Sequence, residues 1–164
     1  MERRSAVIGA IGFVIALALG VATTSIASAQ QTHDHAGASS PALKLDNGKK
    51  WSTDAPLRQG MNKIKTTLTP RLDAAHAGRL SQAQYKEVAK EVTGQVAFIV
   101  KNCKLSPAAD AVLHAIIAEL VAGADAMEDK VKGTAPQAGF VTVVQALDTY
   151  GKYFEHAGWQ GLKQ

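Results

Sequence analysis

The stretch IVKNCKLSPAADAVLHAI, residues 99–116, holds the only cysteine of the chain, Cys103, and a histidine eleven residues on, His114. Thiolate and imidazole, joined by a methionine thioether, form a ligand set that suits copper, Cu(I) above all. The chain has one cysteine, three methionines and five histidines with which to build such a site. Met61, Cys103 and His114 are the candidates for it. His33 and His35 in THDHAG form a second, simpler set: a His-x-His pair in a polar tail catches copper, nickel or zinc weakly. Each residue also has a plainer role. Methionine on an apolar stripe fills gaps in a core, and a free cysteine packs as a small hydrophobe. A boundary histidine is a half-exposed surface residue, and a polar tail is a solvated linker.

Helices must position these groups. The first helical segment opens at Ser52-Thr53-Asp54 with Pro56 in its first turn, a strong start signal. Leu57, Met61, Ile64, Leu68, Leu72 and Ala75 recur at helical spacing along one face. Pro70 interrupts the segment, which either bends there or restarts as a short second helix before Gly78. The next begins at Ser81, where Gln84 completes a capping box, and runs to about Cys103 with Tyr85, Val88, Val92, Val96 and Ile99 inward. Ser106-Pro107 starts the third, with Ala109, Leu113, Ile116, Leu120, Ala124 and Met127 as its stripe and Gly133 as its break. Thr134 and Gln137 read as a capping box for the fourth, whose inward residues are Phe140, Val143, Val144, Leu147 and Phe154 and whose stop is Gly158. Four amphipathic helices with short connections give an all-α, up-down-up-down four-helix bundle over residues 51–164.

That topology brings Met61, Cys103, His114 and His156 toward one end, and Met127 and His76 toward the other. At about 100° per residue, Met61 lies near the centre of its stripe, and Cys103 lies on the inward face of its helix. His114 falls roughly 110° from its stripe, at the boundary. His156 comes out opposite its stripe and should face solvent unless the helix unwinds early. Side chains lean toward their own helix N-terminus, so Met61 and His114 lean toward the end where Cys103 sits. Trp51 and Trp159 close the base of the bundle.

The N-terminus sets the compartment. MERRSAVIGAIGFVIALALGVATTSIASAQ places Arg3 and Arg4 before an uncharged run from Ala6 to Ala22, then a small-residue site at Ala27-Ser28-Ala29. This is the layout of a cleaved signal peptide, residues 1–29, and implies export to the periplasm. An uncleaved inner-membrane anchor is the alternative, since 17 residues is the lower edge of a membrane span. With cleavage the chain keeps no membrane segment. Residues 30–50 are polar and small, with Ser39-Ser40-Pro41 and Asn47-Gly48, and read as a flexible leader.

Charge and motif content exclude several functions. The net charge of +4 drops to +3 when Glu2, Arg3 and Arg4 leave, too little for nucleic acid, and aromatic residues are too few to stack bases. One cysteine excludes an internal disulfide framework. No G-x-S-x-G, H-E-x-x-H, C-x-x-C or Glu-x-x-His pattern occurs, so the chain reads as no enzyme. A protein-interaction module without a metal, working through a partner-binding helix face, is the competing class.

PLRQGM, ending at Met61, and YGKYFEH, ending at His156, place a methionine early in the first helix and a histidine late in the fourth. In this the chain resembles the soluble periplasmic b-type cytochromes of the four-helix-bundle kind. The resemblance implies haem b held without covalent attachment by Met61 and His156, as an alternative to copper. Met61 lies deeper in its helix than that family's ligand, and His156 is out of phase with its own core face.

Overall fold

The computed structural model describes residues 43–162. Residues 1–42, which include the expected signal peptide, His33 and His35, lie outside the described residues.

The described chain is all-α, with four long helices and no extended strand. Helix α1 spans Ala55–Leu68, α3 Gln82–Asn102, α4 Pro107–Met127 and α5 Pro136–Tyr153. Pro70 sits in a 3-10 turn, Thr69–Arg71, after which the short α2, Leu72–His76, resumes. The choice left open at Pro70 is thus resolved toward a restart: proline has no N–H to donate to the carbonyl four residues back.

Three starts follow the expected chemistry. The Asp54 carboxylate accepts the Leu57 N–H at 2.9 Å. Ser81 Oγ accepts the Gln84 N–H at 3.3 Å while Gln84 Oε1 accepts the Ser81 N–H at 2.8 Å, a complete capping box. Ser106 Oγ accepts the Ala109 N–H at 3.3 Å. The fourth start differs. Pro136 occupies the first turn of α5, and Ala135 takes the cap position with no side-chain bond. Gln137 instead donates from Nε2 to the carbonyl of Ala75 at 2.7 Å, tying α5 to the end of α2.

The stripes read from the sequence form the core. Leu57, Met61, Ile64 and Leu68 of α1 are fully buried, with Val88, Val92 and Ile99 of α3, Leu120 and Met127 of α4, and Phe140, Val143 and Leu147 of α5. Each such aliphatic side chain removed from water contributes about 2–3 kcal/mol against the entropy of ordering the chain. Helix α1 packs on α3 and α5, and α4 packs on α3 and α5. Helix α4 is long and apolar enough to cross a membrane by length and composition. Here its stripe of Ala109, Leu113, Ile116, Leu120, Ala124 and Met127 is buried within the bundle.

Helices α4 and α5 approach closely at Gly123 and Gly139. A Cβ on Gly139 would lie 2.5 Å from the Gly123 carbonyl oxygen, and one on Gly123 would lie 2.7 Å from the Gly139 oxygen. Only hydrogen fits at either position.

Helix α5 stops at Tyr153, five residues short of Gly158. Phe154 is extended (φ −116°, ψ 135°) and forms an isolated parallel bridge with Trp51. The Trp51 N–H donates to the Tyr153 carbonyl and the Glu155 N–H to the Trp51 carbonyl, each at 2.8 Å. Residues 43–50, expected within the leader, are held at this same end. Asp46 and Lys49 close a turn through Asn47 and Gly48, both at positive φ, and Lys50 Nζ donates to the Gly151 carbonyl at 2.7 Å.

Candidate functional site

Cys103 is the C-terminal cap of α3, with an extended backbone (φ −71°, ψ 141°) and its N–H on the Ile99 carbonyl at 2.8 Å. The side chain is half-buried. Its Sγ lies 3.4 Å from Asp54 Oδ1, which accepts the thiol proton. The other carboxylate oxygen, Oδ2, accepts the Lys104 N–H at 2.6 Å. Asp54 therefore caps α1 and clasps the end of α3 at once. The surroundings set both ionisations. Burial, the hydrogen bond to Asp54 and the charges of Asp54 and Asp110 push the thiol up to about 12. Burial also works against the Asp54 carboxylate, but the Lys104 and Leu57 amides, the Cys103 thiol and the Arg58 charge outweigh it and hold the group below the usual range. The pair at rest is thus a neutral thiol donating to a carboxylate.

His114 stands in the second turn of α4 with its side chain 59% exposed. Its Nδ1 is 2.9 Å from the Asp110 carbonyl oxygen and 3.3 Å from Asp110 Oδ2. Both neighbours are acceptors, so in the neutral ring the proton sits on Nδ1 and the lone pair on Nε2. A carboxylate or carbonyl fixing the far nitrogen of an imidazole is the usual support of a metal-binding histidine. Cys103, Asp110 and His114 share a groove between α3 and α4, whose apolar walls are Ile99, Val100, Leu113 and Ile117. Among the described residues, no three His, Cys, Asp or Glu side chains form a group that could hold a metal ion.

Met61 stands apart from this pair. It is 0% exposed on the core stripe of α1 and does not line the groove. Its inward phase, correctly read, buries it too deeply to share the surface on which Cys103 and His114 open.

His156 is placed differently from its helical phase. The helix ends before it, and the chain folds back so that the imidazole is 9% exposed, the one buried residue of polar or charged type among those described. Its Nδ1 is 2.8 Å from the Tyr150 hydroxyl and its Nε2 is 3.3 Å from Asn62 Nδ2. The Trp159 ring lies over it at 5.0 Å. Both ring nitrogens are engaged. An axial bond to haem would require the Tyr150 or the Asn62 contact to be given up. Met61 and Asn62 are adjacent on α1, one fully buried and the other exposed, so the methionine and the histidine's partner point to different sides of the helix.

The tryptophans lie at the bundle end. Trp51 Nε1 donates to the Lys44 carbonyl at 2.7 Å. Trp159 packs edge-on to Tyr150 at 4.8 Å, with Lys65 Nζ 5.1 Å above its ring. The residues that sequence reasoning passed over are Asp54 as a partner of Cys103, Asp110 as a partner of His114, and the Asn62–His156–Tyr150 chain. Only the Asp110–His114 pair left a sequence signal, its i to i+4 spacing on one helix.

Comparison with protein-family models, with curated proteins and with solved structures returns no match.

Proposed function

We propose that this chain is an exported, periplasmic, non-catalytic helical bundle that binds a soft metal ion, copper as Cu(I), in the groove between α3 and α4. Cys103 as thiolate and His114 through Nε2 are the ligands, and Asp110 fixes the imidazole. The observation that carries this reading is the Asp110–His114 pair. It leaves Nε2 free in the same groove as the only thiol of the chain. A soft thiolate with an imidazole selects Cu(I) over harder cations.

The up-down-up-down topology belongs to the same reading, and the pairing of helix ends supports it. Asp54 at the start of α1 meets Lys104 after α3. Gln82 at the start of α3 donates from Nε2 to Met127 at the end of α4. The signal-peptide layout of residues 1–29 supports export.

The test is a Cu(I) competition titration of reduced, untagged protein. Cys103→Ala removes stoichiometric binding. Asp110→Ala weakens it about tenfold, the lower end of the usual effect of losing a ligand's outer partner. Equal Cu(I) affinity for the natural protein and Cys103→Ala overturns the assignment.

A further inference from the structure

The C-terminal tail, Phe154 to Leu162, covers one end of the core without being helical. It is held by backbone bonds to Trp51, by the buried Phe154 and Leu162 rings and chains, and by His156. The last of these is the only one whose charge changes near neutral pH.

The groups around His156 come from three elements. From α1 come Asn62, whose amide meets Nε2, and the cations Arg58 and Lys65, whose charges act on the ring. From α5 comes the Tyr150 hydroxyl at Nδ1. From the tail itself come Trp159, tilted against the ring at 5.0 Å, and Glu155, which is exposed. Asp148 of α5 lies at the tail's far end beside Gly161. No carboxylate appears among the groups acting on the imidazole. Neutral imidazole fits this site: Nδ1–H donates to the Tyr150 oxygen and Nε2 accepts from the Asn62 amide. A second proton on the ring would turn Nε2 into a donor facing a donor. Turning the Asn62 amide would supply an acceptor, but would still leave a buried cation beside two others.

We propose that His156 is a pH-sensitive latch: protonation of its ring detaches the C-terminal tail and opens the α1–α5 end of the bundle. The direction of the linkage agrees. Burial, with the Arg58 and Lys65 charges, holds the imidazole below the usual histidine range. The stabilisation is therefore full above the ordinary histidine value and is lost as pH falls through the lowered folded value. Tyr150 stays neutral throughout, because burial raises its phenol well above the usual range. Detachment would expose the Tyr150 and Phe154 rings, which stack at 5.5 Å in the closed tail.

The experiment follows the His156 ring by NMR from about pH 8 to about pH 5, the span in which imidazoles titrate. Protection factors for the Glu155 and Trp159 amides are measured in the same samples. As His156 takes its proton, protection at both amides drops at least about tenfold, the equivalent of one pKa unit. His156→Gln offers polar atoms to Tyr150 and Asn62 without a titratable group, and abolishes the step. If that variant does not fold, the ring titration of the natural protein still decides. A ring that titrates while both protection factors stay flat overturns the latch. So does a ring that takes no proton before the whole bundle unfolds, or a step that persists in His156→Gln.

Discussion

Replacing Asp54 tests the best-defined contact at the candidate site, because one carboxylate performs three jobs there. It accepts the Leu57 N–H, the Lys104 N–H and the Cys103 thiol proton. Asp54→Ala removes the cap of α1, which costs about 1 kcal/mol. It also removes a charged acceptor from the Lys104 amide. That amide is exposed and can turn to water, so the further loss is at the low end for such bonds, about 1 kcal/mol. With a urea slope of about 2 kcal/mol per molar for a domain of this size, the midpoint falls by about 1 M. Asp54→Asn keeps a capping oxygen and loses about half as much. Its effect on the thiol is the sharper result. The negative charge that helps to push Cys103 up is gone, while burial, the larger cause, remains. The thiol moves down toward its ordinary range, and each unit of that movement raises the thiolate fraction, and the alkylation rate at fixed pH, about tenfold. The assay is iodoacetamide alkylation of Cys103 as a function of pH, beside a urea melt. Ser81→Ala is the control, since it removes a cap of similar strength at the far end of α3 without touching the thiol's surroundings. Alkylation in Asp54→Asn no faster than in Ser81→Ala would refute the account of the thiol.

Two further outcomes follow from the structure. Gly139→Ala places a methyl group 2.5 Å from a backbone oxygen and 2.9 Å from the Met127 nitrogen, neither of which can swing away. It should lower stability by about 3 kcal/mol despite a helix-propensity gain of about 1 kcal/mol, and an unchanged thermal midpoint would contradict the close α4–α5 packing. On the metal proposal, Cu(I) must displace the Cys103 proton, so apparent affinity rises about tenfold per pH unit while the thiol is protonated, and a pH-independent affinity would exclude the thiolate.

The core was legible because burial imposes period. Every inward residue named for α3, α4 and α5 is buried, and four of the six named for α1 are 0% exposed. The start signals at Asp54, Ser81 and Ser106 were equally readable, since each depends on a side chain bonding to an amide three residues away. Contacts between distant parts of the chain were not. Helical phase put His156 in solvent because nothing in YGKYFEHAGW reports that Trp51, about a hundred residues earlier, pairs with Phe154 and ends the helix. The Gly123–Gly139 contact is hidden for the same reason: an isolated glycine in a helical pattern reads as a cost until the neighbouring helix is known. At the candidate site the sequence offered the thiol and the imidazole, but their depth in the fold separated them from Met61.

The resting state of Cys103 bears directly on what the groove can do. A protonated thiol donating to Asp54 is a poor nucleophile. It is also guarded against oxidation, since the reactive form is the thiolate. A cation reverses the balance. Bringing a thiolate beside Asp54 and Asp110 gathers three negative groups, which are mutually repulsive until a positive charge stands among them. Under the proposed copper reading, metal capture and the Asp54 clasp on Cys103 compete for the same sulfur. Loading would take the thiol from Asp54, while the carboxylate keeps the Leu57 and Lys104 amides. The α1 cap and the end of α3 stay tied, so the exchange is confined to one side chain and the bundle can serve as a fixed scaffold for it.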